Sequence, residues 1–165
     1  METYVIHEII SKIVKIHGIS RSTDDKIEIQ YAEEPTQEQK QKIEEFLNTL
    51  PLIIEKNLKY EQIDNDFAKT IDEGYTTSYG WKMGLGIQDI TLLSSFFLLA
   101  KTANDNNIPI PDLIDKDGIP RQLDINQLTI LMLQYGQYRA DMSFTYATRR
   151  KNVNDATTIE EVKNA

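Results

Sequence analysis

The chain has two histidines, His7 and His17. A histidine acting as a base or metal ligand needs a carboxylate, hydroxyl or second ligand held beside it. No such residue stands at a spacing that ties it to either one, so both read as surface or locally satisfied side chains. Asp64 and Asp66 lie two apart, which on a helix points them in different directions; they read as solvated-face residues. Asp115, Asp117, Gly118 and Asp124 fall at positions three, five, six and twelve of a calcium-loop pattern. Position one is then Leu113, which cannot ligate, and position nine is the cation Arg121, so a tight Asp117-Gly118 hairpin turn explains the run better. Gly84-Leu85-Gly86 lacks the third glycine and the Lys-Ser/Thr of a phosphate loop, and there is no Gly-x-Ser-x-Gly elbow. With no cysteine, thiolate nucleophiles, thiolate metal sites and disulfides are excluded. Nothing assembles a nucleophile, a base and an oxyanion site, so the expectation is a protein that is not an enzyme and uses no cofactor or metal.

What is left is recognition. The formal net charge of −8 argues against a nucleic-acid partner. Arg149, Arg150 and Lys151 form a short basic cluster that reads as cations meeting a helix C-terminus. Tyr75, Tyr79 and Trp81 stand out as candidate protein-binding residues, because aromatics on a ribbon serve as interface anchors. Their ordinary alternative is a ribbon packed on its own helices. The longest apolar stretch, Leu92 to Ala100, is about half a membrane span and contains two serines. Glu2 and Glu8 stand where a secretory signal needs positive charge. The expectations are therefore no membrane partner and a cytosolic site of synthesis.

The elements that must carry these residues follow from periodicity. At 165 residues the chain suits one domain, or one with a small appendage, and needs no staples. Ile9 to Ile16 is rich in β-branched residues, and Lys26 to Tyr31 alternates strictly. With the polar stretch Gly18 to Asp25 between them they predict an antiparallel hairpin, a helix over 4–16 being the alternative. Thr36 caps a helix to about Thr49, and Pro51 opens a second one that Gly74 stops, with Ile53, Tyr60, Ile63, Phe67 and Ile71 broadly on one face. Residues 75–86 read as a ribbon turning at Gly80. Asp89 is expected to cap a helix over 90–102 whose apolar residues lie on more than one face, placing it centrally. After the Asp-Gly hairpin, Asp124 caps the longest helix, to about Lys151, with a seam of Leu128, Leu131, Tyr135, Tyr138 and Met142. Thr157-Thr158-Ile159-Glu160-Glu161 begins a last short helix through a capping box. The expected fold class is α+β. A β-hairpin and helix module covers residues 1–50, and a mostly helical bundle with short β-ribbons covers 52–165.

The order of these pieces carries a resemblance. It runs from Ile71-Asp72-Glu73-Gly74-Tyr75 through the Asp89 helix, the Lys116-Asp117-Gly118 hairpin and the Asp124-Ile125-Asn126-Gln127-Leu128 helix start. It closes on Asp155-Ala156-Thr157-Thr158-Ile159-Glu160-Glu161-Val162, its most specific part. Over roughly residues 70–165 this resembles an uncharacterised domain family of phage tail-fibre and tail-fibre-assembly proteins. Where family members often carry Trp in the first strand of the Asp-Gly hairpin, this chain has Leu113 or Ile114, and its helices use Leu, Met and Tyr in place of alanine. The resemblance implies a tail-fibre accessory protein that binds a trimeric fibre as assembly chaperone, virion-retained cap or both. It would work in the host cytoplasm during assembly, with the virion tail as a further location and a homo-oligomer there as one arrangement. The rivals are a structural component of the tail or baseplate and a host-directed binding regulator. No site residues come with the family.

Overall fold

A computed structural model describes residues 3–22 and 26–165. Glu2, and Thr23, Asp24 and Asp25 of the expected hairpin loop, lie outside the described residues. The fold is α+β. In chain order the elements are α1 (Thr3–Ser11), β1 (Ile16–Arg21), β2 (Ile27–Tyr31), α2 (Gln37–Glu73), β3 (Tyr75–Thr76), β4 (Lys82–Met83), α3 (Ile87–Asp105), β5 (Leu113–Ile114), β6 (Pro120–Arg121), α4 (Ile125–Asp155) and α5 (Ile159–Asn164). The strands pair as consecutive antiparallel ribbons: β1 with β2, β3 with β4 and β5 with β6. Two compact units result. One holds the residues up to Lys59 together with Ala156–Asn164, and the other holds Tyr60–Asp155.

In the first unit the hairpin starts later than its β-branched run suggests. Ile6 and Ile10 are four apart and both fully buried, while Glu8 midway between them is exposed; a strand would turn all three to one face, whereas a helix separates Glu8 from the isoleucines, so residues 3–11 form α1 and the first strand begins at Ile16. Burial on one helical face outweighs the β preference of isoleucine. Gly18 lies within β1, beside the irregularity between Ile16 and Gly18. The unit's core joins Ile6, Ile10 and Val14 to Ile43 and Leu50 of α2. Thr36 does cap α2: its Oγ1 accepts the Gln39 N–H at 3.2 Å, and Gln39 Oε1 accepts the Thr36 N–H at 2.8 Å, a reciprocal box.

The expected break at Pro51 is absent; α2 runs unbroken through it. Pro51 has no N–H for the carbonyl one turn back, and an interior proline costs a helix about 3 kcal/mol. Leu50 is buried and Leu47 and Ile54 pack in the same cluster, so burial on both sides of the proline holds the helix through it. Glu161 Oε2 accepts the Thr157 and Thr158 N–H groups at 2.6 and 3.2 Å, and Thr158 Oγ1 accepts the Glu161 N–H at 3.2 Å, so the expected capping box opens α5. These donors, the Thr157 N–H first, hold the Glu161 carboxyl below its ordinary range. Lys59 Nζ donates to the Lys163 carbonyl at 2.9 Å and ties α5 to α2.

The second unit is organised on α4. Asp124 Oδ1 accepts the N–H groups of Asn126 and Gln127 at 2.9 and 2.8 Å, capping the helix as its sequence indicates. Of the seam, Leu128, Leu131, Tyr135 and Met142 are buried, and Tyr138 is half-buried beside them. The core adds Met83, Leu85, Leu93 and Ala100, with Phe67 and Ile71 of α2 packed against it. Gly74 ends α2 with φ +77°, and a Cβ there would lie 2.6 Å from the Met83 carbonyl oxygen, so the position needs glycine.

α3 is not central. Only Leu93, Ala100 and Ala103 are fully buried, whereas Leu92, Leu98 and Leu99 are more than half exposed. Its second apolar stripe faces outward. Its N-cap is Gly86; Asp89 sits three residues in and accepts the Gly86 N–H through Oδ2 at 2.8 Å.

Candidate functional site

An apolar groove of about 400 Å³ opens in the second unit between α3 and the β5–β6 hairpin. Leu92, Ser95, Phe96 and Leu99 recur at helical spacing along one face of α3 and form one wall. Leu113 and Ile114 of β5 stand across from them, and Met83, Gly84 and Leu93 also line it. Leu92 is 68 % exposed, Leu99 55 % and Ile114 54 %, so a row of large apolar side chains is open to solvent. Contiguous apolar surface of this kind marks an interaction site more often than isolated exposed leucines do.

Three of the charged groups at the margin, Asp89, Asp115 and Lys116, are engaged in holding the groove's shape. Asp89 is the α3 capping carboxylate. Gly84 and Gly86 wrap around it: a Cβ on Gly84 would stand 2.3 Å from the Asp89 carboxyl carbon. The Gly84-Leu85-Gly86 run is therefore an internal carboxylate cradle. Tyr135 donates from its hydroxyl to the Gly84 carbonyl at 2.9 Å, and Arg139 donates to the Leu85 carbonyl. Asp115 is buried. Its Oδ1 accepts the Asp117 and Ile119 N–H groups, each at 2.9 Å, and its Oδ2 accepts Arg121 Nε at 2.7 Å. Burial alone would raise its pKa; the Ile119 N–H, Arg121 and the Asp117 N–H outweigh burial and hold it below the ordinary carboxylate range. Gly118 makes the turn at φ +79°. Lys116 donates through Nζ to the Asp72 carbonyl, and its N–H donates to the Lys82 carbonyl at 2.9 Å. The Asp115–Asp124 run is thus a hairpin turn clamped by its own carboxylate.

The aromatic ribbon is divided in its roles. Tyr75 packs inward, its ring 5.8 Å from Tyr135 and 5.0 Å from Tyr138, and burial pushes its hydroxyl pKa up. Trp81 is half-buried against the core, with the Arg121 guanidinium 5.6 Å above its ring. Tyr79 is the exposed member. It stacks on Trp81 at 6.3 Å, and its hydroxyl donates to the Gln127 carbonyl at 3.2 Å. Thr77 is buried and closes the turn by donating its N–H and hydroxyl to the Trp81 carbonyl at 2.8 and 2.9 Å.

Asp64 and Asp66, expected to be merely solvated, pair across to α4. Arg150 binds Asp64 at 3.1 Å and Arg149 binds Asp66 at 2.9 Å. Each arginine also lies over a ring, Arg150 over Tyr60 at 5.4 Å and Arg149 over Tyr146 at 5.6 Å. Lys151 pairs with Asp155 one turn on. α4 extends four residues past Lys151, so the basic cluster serves helix packing within this unit and does not mark a helix end. His7 on α1 and His17 on β1 stand on separate elements. Among the described residues no group of three or more His, Asp or Glu is placed to hold a metal ion, and no helix is long and apolar enough to cross a membrane.

The groove was not anticipated from sequence. Its signal is the second stripe on α3, Leu92-x-x-Ser95-Phe96-x-x-Leu99, which exceeds what one buried face needs. Comparison with protein-family models, curated proteins and solved structures finds no match to this chain.

Proposed function

We propose that the chain is a non-enzymatic accessory protein of a bacteriophage tail fibre, binding the trimeric fibre through the α3–β5 groove as assembly chaperone or virion-retained cap. The observation that carries this is the groove itself: a wall of exposed apolar side chains, Leu92, Leu99 and Ile114, beside Asp89, Asp115 and Lys116, which are occupied in internal bonds. Unassembled fibre chains expose apolar side chains and strand edges before they trimerise. A seat that covers them and keeps them soluble has the chemistry this groove offers. The tail-fibre resemblance of residues 70–165 supplies the partner class. Tyr79 adds an exposed ring on the neighbouring ribbon, while Tyr75 and Trp81 brace that ribbon from within. Assembly takes place in the host cytoplasm. Co-expression with a phage tail-fibre chain tests this reading: the fibre becomes soluble and trimeric with this chain present and aggregates without it. A fibre equally soluble alone contradicts the chaperone role, and absence of the chain from purified particles contradicts the cap.

A further inference from the structure

The β1–β2 hairpin of the first unit has an open edge. The Ser22 N–H donates to the Lys26 carbonyl at 2.9 Å and the Ala32 N–H to the Lys15 carbonyl at 3.0 Å. With strand alternation, these bonds turn the backbone groups of Lys26, Glu28, Gln30 and Ala32 toward β1 and those of Ile27, Ile29 and Tyr31 away from it. No other described residue takes up the outward groups. β2 contains neither proline nor bulge to blunt that edge. Alongside it runs a groove of about 300 Å³, in which Ile27, Ile29 and Tyr31 face Ile43 and Leu47 of α2.

We infer that this edge pairs with β2 of a second copy of the chain, antiparallel and centred on Ile29. The sequence of β2 is self-complementary about that residue. A two-fold axis there sets Ile29 against Ile29 of the second copy, and Ile27 against Tyr31 in both directions. These three pairs are all made of outward-facing residues, so each exchanges two ladder bonds, about six in all. Residues directly opposite share a face of the sheet, so each Tyr31 ring lies against the Ile27 end of the other copy's groove and covers apolar surface that is otherwise open. Lys26 stands opposite Ala32, and Glu28 opposite the neutral Gln30. From Lys26 to Ala32 no like charges are directly opposed. The contact is isologous and closes on itself as a four-stranded sheet, so it yields a dimer and not a fibril. It is independent of the fibre-binding proposal, which concerns the other unit.

Tyr31→Pro is the discriminating variant. The Tyr31 N–H faces outward, so proline removes a bond of the dimer and none of the hairpin. Sedimentation equilibrium of the full chain should show a monomer–dimer equilibrium whose Kd rises at least tenfold in Tyr31→Pro, with an unchanged circular dichroism spectrum. Amide exchange supplies a readout that needs no variant. On concentration, the Ile27, Ile29 and Tyr31 amides should gain protection, while Glu28 and Gln30 are protected throughout. A chain that stays monomeric at millimolar concentration overturns the inference. So does a dimer that Tyr31→Pro leaves intact, or one whose added protection falls on α3.

Discussion

Replacing Gly84 by alanine drives a methyl group into the carboxylate that starts α3. The added Cβ would sit 2.3 Å from Asp89 Cγ and 2.4 Å from Oδ2. Ordinary contact needs about 3.4 Å or more, so the carboxylate must retreat by about an ångström. Retreat breaks its 2.8 Å bond with the Gly86 N–H. A lost helix-start bond costs about 1 kcal/mol, and forcing a methyl into packed surroundings a further 1–3 kcal/mol, so Gly84→Ala should destabilise by about 2–4 kcal/mol. Asp89→Ala should cost only the cap, about 1 kcal/mol. In the double variant the obstructing carboxylate is gone, so its cost should approach that of Asp89→Ala alone, with a coupling of about 2–4 kcal/mol, the whole cost of Gly84→Ala. Urea unfolding of the four proteins measures this directly. Additive costs would show that Gly84 does not cradle Asp89, and the described geometry at this end of the groove would be wrong.

Pro51→Ala should stabilise the chain by about 1–3 kcal/mol, because it restores a backbone bond inside a continuous helix; a loss of stability in thermal melts would favour two helices broken there. Leu131→Ala, fully buried in the core, should cost about 3–5 kcal/mol, whereas Leu99→Ser on the open groove wall should stay within about 0.5 kcal/mol. Equal shifts in chemical denaturation would contradict that division. The Asp115 carboxyl has its folded pKa depressed, so its stabilisation is present above the unfolded value and is lost as pH falls through the folded one. Asp115→Asn should lower the melting temperature at pH 7 and flatten its decline below pH 4; a parallel pH profile in the variant would refute the role assigned to that carboxylate.

Local rules brought out the parts of this fold that depend on neighbours in sequence. The boxes at Thr36, Asp124 and Thr158, the glycine turns at Gly74, Gly80 and Gly118 and the α4 seam are set by residues within a few positions of each other. What escaped depends on remote burial. Ile6 and Ile10 form a helix because both reach the α2 face, and Pro51 is carried through a helix because Leu47, Leu50 and Ile54 are packed around it. Asp64 and Asp66 looked idle because their arginines lie more than eighty residues further on. The groove escaped for a related reason. A helix with apolar residues on two faces reads as central, and composition does not tell a second buried face from a bare one. The aromatic ribbon was legible as a feature. The division of labour within it, with Tyr75 inward and Tyr79 outward, follows from contacts with α4 that no local pattern encodes.

The proposal that the α3–β5 groove seats a tail fibre is decided by the fibre affinity of groove variants. Leu92→Asp places a charge on the exposed wall without entering the core, and Tyr79→Ser removes the ring outside the groove. Titrated by calorimetry against the trimeric fibre, Leu92→Asp should weaken binding at least tenfold, about 1.4 kcal/mol or more, with an unchanged circular dichroism spectrum. Tyr79→Ser should also weaken it, and unchanged binding by that folded variant would remove the ribbon from the interface. Undiminished affinity of folded Leu92→Asp would remove the groove from the interface, and no heat of binding with the unmodified chain would contradict fibre binding altogether.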